Sequence, residues 1–193
     1  MLPNYKSKSD SKKVVIVVDS AASLPKTDLS NLVKIVPMQL MIGSKTFKDG
    51  IDISSDDFYR ILSNTNPVPS TAAPSPSSYL DAFRLASKVS NKVLCITVSS
   101  NFSSSYKSAE NAIAIAKIEL PGIDIKLIDS ESAAGSEGLV VLEAVKAASI
   151  GDPIEKVYSA ASKVIEKVYL LAYLDTLYYV WKSGRIPRIA YAG

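Results

Sequence analysis

Hydroxyl side chains cluster at the ends of several apolar runs in this chain, where their chemistry suits an anion. Ser103, Ser104 and Ser105 follow the apolar run 93–98 and stand at the start of a predicted helix, and Thr71 lies in a proline-rich loop. The free N–H groups and the dipole at a helix N-terminus favour negative charge, and hydroxyls add short donors. The nearest cation, Lys107, already lies inside the predicted helix, so a single carboxylate fits better than a polyphosphate.

Helix capping is the simpler interpretation of the same residues. Serine and threonine before a helix usually cap it. Asp19 and Asp129, which each follow an apolar run, are typical of turns and caps. Three consecutive serines exceed what one cap needs, which favours ligand contact by Ser103. Cys95 lies inside an apolar run and is expected in the core.

The composition excludes several kinds of active site. The chain has no histidine and one cysteine, which removes Ser-His-Asp and Cys-His catalysis, histidine-ligated metals and an internal disulfide. Neither GxGxxG nor GxxxxGK[ST] occurs. We therefore expect no metal and no cofactor. A hydrolase or acyltransferase with Ser103 or Ser99 as nucleophile stays open as an alternative, with lysine, aspartate or glutamate as its base.

The chain has the length and composition of a globular protein with one domain, or one domain and part of another. Of its 193 residues, 47% are apolar and 21% are charged, and the net charge is +3. Four lysines near the N-terminus alone exceed this charge, so we expect no nucleic-acid partner. No apolar run approaches the length of a membrane span, and the first 13 residues lack the apolar stretch of a secretory signal. A cytoplasmic protein without an integral membrane segment is expected.

Apolar runs alternate with helical patterns, which predicts an α/β fold with a mostly parallel sheet and helices on both faces. Continuous apolar runs predict strands at 14–18, 35–42, 93–98, 125–128 and 168–174. Helical spacing predicts helices at 56–62, 77–89, 104–118, 137–148 and 153–168. Ligands of such sheets bind beyond the carboxyl ends of the strands, where the hydroxyl-rich loops lie.

Two further stretches are predicted to be irregular. Residues 1–12 are polar and predict a flexible tail, because they have little to bury. Residues 64–77 contain four prolines and predict a long loop of the kind that often carries function.

The hydroxyl-rich loops also carry motifs that resemble the DegV family of bacterial fatty acid-binding proteins. In chain order these are DSAASLP at 19–25, FKDGIDI at 47–53, PSTAAPSP at 69–76, SSNFSSSYKSA at 99–109 and SGRI at 183–186. Asp129, Ser130, Gly135 and Gly138 match as well. The resemblance covers residues 13–190, with the motifs in the family's order and spacing.

The resemblance implies a carrier rather than an enzyme. In the family, a long-chain fatty acid lies in an apolar tunnel with its carboxylate held by hydroxyls, and a separate fatty acid kinase converts the bound acid to an acyl-phosphate. The family's head-group hydroxyls fall on Thr71 and Ser103, and Ser99 and Ser104 lie in the same motif as Ser103. Arg185 falls near the mouth of the ligand site, where it would meet a carboxylate or phosphate. The alternative for Arg185 is a solvent-exposed side chain at a helix end.

The chain departs from the family pattern in two ways. Ala72 and Ala73 replace polar residues, and Ser104 replaces a glycine. If the family needs that glycine so that the backbone can approach the ligand closely, the side chain of Ser104 narrows the site. The family also continues well beyond the last motif. The resemblance therefore implies an α/β domain at 13–165, followed at 166–193 by the first strand and helix of an incomplete second domain, whose absent part includes a head-group histidine. A truncated remnant that no longer binds is a further alternative.

Overall fold

Two sheets and six helices make up the described part of the chain. In the computed structural model, which describes residues 13–25, 31–62 and 67–188, the strands are β1 (Val14–Asp19), β2 (Val33–Val36), β3 (Gln39–Ile42), β4 (Lys45–Lys48), β5 (Ser70–Ala72), β6 (Lys92–Thr97) and β7 (Asp124–Asp129). The helices are α1 (Ser55–Leu62), α2 (Pro76–Ser87), α3 (Ser105–Glu119), α4 (Ala134–Ser149), α5 (Ile154–Ile165) and α6 (Tyr178–Lys182). A short 3-10 turn, Ser20–Ala22, follows β1.

The larger sheet is parallel and has the order β2-β1-β6-β7. Every residue of β1 is buried, as its continuous β-branched sequence predicts for an internal parallel strand. Val14, Ile16 and Val18 pack with α4 and α5 on one face. Val15 and Val17 pack with α2 and α3 on the other face. Burial of each such side chain stabilises the fold by about 1.5–3 kcal/mol. The prediction of a parallel sheet with helices on both faces is confirmed.

The smaller sheet is antiparallel, has the order β4-β3-β5 and was not predicted. The run 35–42, predicted as one strand, is two strands in different sheets, because Pro37 lacks the N–H that would continue β2. The next amide, Met38 N–H, donates to Ser20 Oγ at 3.0 Å. The stretch 64–77 is not entirely irregular either, since it contains β5; its residues 64–66 lie outside the described residues.

The strand predicted at 168–174 is wrong. These residues are irregular, and the next regular element is α6. A strand needs a neighbour for its backbone hydrogen bonds, and no described strand lies beside this run. The division into 13–165 and 166–193 stays a prediction. The predicted flexible tail, 1–12, lies outside the described residues.

No helix within the described ranges is both long enough and apolar enough to cross a membrane.

Candidate functional site

A cavity of about 340 Å³ lies beyond the carboxyl ends of β1 and β6, against the small antiparallel sheet. Its size falls within the range of small-molecule sites, and its position is the one expected for ligands of parallel sheets. The lining consists mainly of apolar side chains with a few polar groups. The lining residues are Ala21, Met38, Leu40, Asp49, Thr71, Val98, Phe102, Ser103, Ala133 and Arg185. Three of the five residues predicted from the sequence, Thr71, Ser103 and Arg185, therefore meet at one cavity.

Thr71 reaches the cavity from β5, where it pairs with Leu40 of β3. The guanidinium of Arg185 donates from Nη2 to Thr71 Oγ1 at 3.2 Å. This bond occupies the threonine oxygen as an acceptor, so the Thr71 hydroxyl is left to donate its own proton. A hydroxyl and a guanidinium side by side form a donor-rich site of the kind that binds carboxylates.

Arg185 is directed to this position by the end of α6. Gly184 follows the helix in the left-handed region, with φ of 77°, and its N–H donates to the Trp181 carbonyl at 2.8 Å. The Arg185 N–H donates to the Val180 carbonyl at 3.1 Å. Glycine at this position allows the chain to reverse at the helix end, and the reversal brings Arg185 back toward the cavity.

Ser103 reaches the cavity from the turn between β6 and α3. Its N–H donates to the Ser99 carbonyl at 3.1 Å, which fixes the backbone. Its Oγ accepts the Ser105 N–H at 3.2 Å and lies 2.9 Å from Ser105 Oγ. Ser103, rather than Ser104, thus supplies the side chain that caps the start of α3, and Ser103 also lines the cavity.

Ser99 and Ser104 are not among the described residues that line the cavity. Ser99 is buried, and its Oγ accepts the Asn101 N–H at 3.3 Å, so it shapes the turn. Ser104 is exposed and makes no side-chain capping bond. Its φ of −79° is ordinary for any residue, so the serine stands there without backbone strain. Sequence motifs grouped these residues with Ser103 because the three are neighbours in the chain, whereas the turn separates their side chains.

The carboxylate of Asp19 is buried beneath the cavity, and the sequence did not predict this burial. The Asp19 carboxylate accepts hydrogen bonds from Val98 N–H at 3.0 Å, Ala21 N–H at 3.2 Å and the Tyr79 hydroxyl at 3.2 Å. Burial raises the pKa of Asp19, and these bonds partly oppose the rise. Asp19 also caps the 3-10 turn, which agrees with the prediction of a turn or cap. Nothing in the sequence indicated that Tyr79 binds Asp19, because Tyr79 occupies an apolar position of α2.

A second carboxylate, that of Asp49, lines the cavity and is fixed in place by a hydrogen bond from Ser20. Ser20 Oγ donates to Asp49 Oδ2 at 2.7 Å. The same Ser20 oxygen accepts the Met38 N–H, so these contacts join the parallel sheet to the small sheet. Asp49 and Arg185 are the ionisable residues among those described as lining the cavity.

Glu137, in the first turn of α4, is buried with both carboxyl oxygens unpartnered among the described residues. Burial raises its pKa to about 10, and the charges of Asp19 and Asp129 add to the effect. Glu137 is therefore uncharged at neutral pH.

Comparisons with known proteins identify the family. A family model described as "Uncharacterised protein, DegV family" matches residues 13–192. The chain belongs to the DegV family. A DegV domain-containing protein of Caldanaerobacter subterraneus is 30% identical over 178 residues, which are 92% of this chain and 62% of the relative.

Two solved structures share the fold. A stearic acid-binding protein from Eubacterium ventriosum is 30% identical with a TM-score of 0.77, over 95% of this chain and 64% of that one. The fatty acid kinase B3 protein of Streptococcus pneumoniae, loaded with linoleic acid, is 27% identical with a TM-score of 0.81, over 92% of this chain and 63% of that one. The DegV chain described here thus spans less than two thirds of the length of these relatives.

Proposed function

We propose that this DegV chain binds a long-chain fatty acid by its carboxylate and presents the acid to a fatty acid kinase, which forms the acyl-phosphate. The observation that carries the proposal is the meeting of Thr71, Ser103 and Arg185 at one largely apolar cavity. Apolar walls suit an acyl chain, and the convergent donors suit its carboxylate. The fatty acids in the two solved relatives support this ligand class.

The hydrogen-bond directions favour an anion. The Thr71 oxygen accepts from Arg185, and the Ser103 oxygen accepts from the Ser105 amide. The Thr71 hydroxyl therefore keeps its own proton, which a carboxylate oxygen is able to accept. Arg185 adds a positive charge to the same site.

A carrier role suits the site better than serine-nucleophile chemistry. A nucleophilic serine needs a base within hydrogen-bond reach. Ser103 is instead bonded to another hydroxyl group, that of Ser105. The carboxylate that lines the cavity, Asp49, accepts from Ser20. Covalent catalysis by Ser103 therefore has no support in these contacts.

Presentation to a kinase is supported by the exposure of the head-group residues. Thr71 and Arg185 are both exposed, so a carboxylate between them lies where a second protein has access to it. The name of the Streptococcus pneumoniae relative, fatty acid kinase B3 protein, indicates the class of partner.

Identification of lipid in the purified protein tests the binding step. The chain is expressed in bacteria, washed, extracted with organic solvent and analysed by mass spectrometry, with Ser103→Ala prepared in parallel. A long-chain fatty acid at near-stoichiometric amount in the wild type, and less in the variant, is expected. A wild-type chain that carries no acid and takes up none when incubated with palmitate would instead favour the non-binding remnant.

The presentation step needs a separate assay. The palmitate-loaded chain is incubated with a bacterial fatty acid kinase and ATP, and acyl-phosphate is trapped with hydroxylamine. We expect palmitoyl hydroxamate only when the chain, the kinase and ATP are all present. A chain that binds palmitate but yields no hydroxamate with kinases that act on full-length DegV proteins would contradict presentation while leaving binding intact.

A further inference from the structure

The carboxylate of Asp19 is a buried negative charge next to the cavity in which the proposed function places a second one. Asp19 is fully buried. Its Oδ2 accepts from the Val98 N–H and its Oδ1 from the Ala21 N–H, and both of those residues line the cavity. The Ser105 hydroxyl contacts the same carboxylate and lies 2.9 Å from Ser103 Oγ. Short hydrogen-bonded paths thus join Asp19 to three residues of the cavity wall.

No cation compensates this charge among the described residues, since none of their ion pairs includes Asp19. Tyr79 of α2 faces Asp19, and its hydroxyl donates to Oδ2 at 3.2 Å. Cys95 of β6 and Glu137 of α4 interact electrostatically with the same carboxylate. Burial raises the pKa of these three groups, so at neutral pH each already holds its proton and is uncharged.

We propose that Asp19 is the residue that binds a proton when the head-group site is filled: binding of a carboxylate at Thr71, Ser103 and Arg185 is accompanied by uptake of a proton from solution onto the Asp19 carboxylate. Two carboxylates that share a poorly hydrated site do not both stay fully ionised. Arg185 is exposed, so water and salt screen its charge from the buried carboxylate. This inference rests on the proposed function, because the bound acid supplies the second charge.

Asp19 suits this role better than Asp49, the carboxylate in the cavity lining. Asp49 also faces Asp19, since both line a neighbouring cavity of about 410 Å³. Asp49 is only half-buried, so water solvates its charge. Burial already raises the pKa of Asp19, and hydrogen bonds from Val98 and Tyr79 oppose the rise. A nearby anion raises the pKa of Asp19 further, so the affinity for a carboxylate increases as the pH falls.

The test counts the protons bound with each dodecanoate. Calorimetric titrations between pH 6 and pH 8 are made in pairs of buffers with different heats of ionisation, and the difference in heat gives the number of protons taken up. The proteins are the wild type, Asp19→Asn and Tyr79→Phe, with Asp49→Asn as the matched control at the other carboxylate. Melting temperatures are recorded for all four.

We expect the wild type to take up roughly half a proton per dodecanoate near pH 7, with about a threefold rise in affinity for each unit by which the pH falls. Asp19→Asn should take up none, and its affinity should be nearly independent of pH. Asp49→Asn should behave as the wild type does. Tyr79→Phe keeps the ring and removes one hydrogen bond from the Asp19 carboxylate, so its uptake should extend to higher pH.

Three results would overturn the assignment. The wild type binds dodecanoate without proton uptake, Asp19→Asn takes up as many protons as the wild type, or uptake is lost in Asp49→Asn instead. If the melting temperature shows that Asp19→Asn does not fold, an unchanged pH profile of Tyr79→Phe overturns it equally. In each case the wild type still binds dodecanoate, so the proposed function stands. A wild type that does not bind dodecanoate would overturn the proposed function and this assignment with it.

Discussion

Thr71 and Ser103 lie on separate elements, a strand of the small sheet and the turn before α3, yet both line the same cavity. The position of Ser103 was predictable because its hydroxyl-rich loop follows the carboxyl end of a parallel strand. The position of Thr71, on a strand of the antiparallel sheet, followed only from the family resemblance. Their partners, Ser105 and Tyr79, were not predictable, since a buried serine and a tyrosine at an apolar helix position leave no pattern in the sequence. The separation of Ser99 and Ser104 from the site depends on the conformation of one turn, which spacing alone does not determine.

Removal of the Thr71 hydroxyl tests its contact with the carboxylate. Loss of a hydrogen bond to a charged group weakens an interaction by about 1.5–3 kcal/mol. We therefore expect Thr71→Ala to lower palmitate affinity by that amount in a calorimetric titration, with little change in melting temperature because Thr71 is exposed. Thr46→Ala, at an exposed position of β4 in the same small sheet, is the control and should bind normally. Equal affinities of Thr71→Ala and the control would remove Thr71 from the site.

Glu137 makes the free energy of unfolding depend on pH. Its pKa is about 10 in the folded chain, against 4.5 for an unperturbed glutamate. Between these values the folded state holds a proton that the unfolded state has released. The contribution of Glu137 to stability is therefore complete below pH 4.5 and is lost as the pH rises, by up to ~1.4 kcal/mol per pH unit.

Glu137→Gln keeps the shape of the neutral carboxyl group and cannot ionise. We expect this variant to be more stable than the wild type at neutral pH, with an advantage that grows between pH 6 and pH 8 in urea unfolding. Glu110→Gln, at an exposed position of α3, serves as the control and should follow the wild type. Parallel pH profiles for the wild type and Glu137→Gln would show that the buried group does not titrate in this way.

At the scale of elements, a close contact sets the distance between α4 and the turn that follows β1. A Cβ atom added to Gly138 would lie 2.8 Å from the Ala22 carbonyl oxygen. That neighbour is backbone, so relief requires one element to move. The turn and the residue before α4 supply Ala21 and Ala133 to the cavity, and movement there would alter the site as well as the packing.

Gly138→Ala should therefore destabilise the chain and weaken ligand binding together. Overpacking typically costs about 1–3 kcal/mol, which chemical denaturation would detect as a lower midpoint. Gly135→Ala, in the same helix, places its Cβ in open space, and its stability should equal or slightly exceed that of the wild type. If both variants unfolded at the same midpoint, α4 would have room to shift, and the contact between Gly138 and the Ala22 carbonyl would not set the distance between α4 and the turn.

The elements differ in how well their sequences predict them. β1, β6 and β7 are mainly apolar runs with pairing partners, and their predicted positions agree with the structure to within one residue. The run 35–42 is equally apolar, but Pro37 divides it between two sheets. The run 168–174 has the composition of a strand and no described neighbour to pair with. Apolar composition therefore predicts a tendency to form a strand, and pairing decides whether the strand forms.

At the scale of the molecule, the segment after α5 leaves apolar side chains in contact with water. Leu171 is 93% exposed and Tyr173 is 94% exposed. Other exposed apolar residues of the same segment are Tyr169, Leu170, Leu174, Leu177 and Tyr179. Monomeric proteins rarely expose contiguous apolar patches beyond a few hundred Å², so this segment is expected to bind apolar dyes and to promote self-association.

A double variant, Leu171→Ser with Tyr173→Ser, tests this expectation. Because both side chains are exposed, the substitutions should leave the folded core and its unfolding midpoint nearly unchanged. The wild type should bind anilinonaphthalene sulfonate and sediment as a concentration-dependent mixture, and the double variant should show less of both. Ile118→Ser is the control, since Ile118 is 82% exposed on α3, outside this segment. The prediction would be contradicted if the wild type sedimented as a monomer at every concentration and did not raise the fluorescence of the dye. Apolar side chains freely exposed to water would bind the dye.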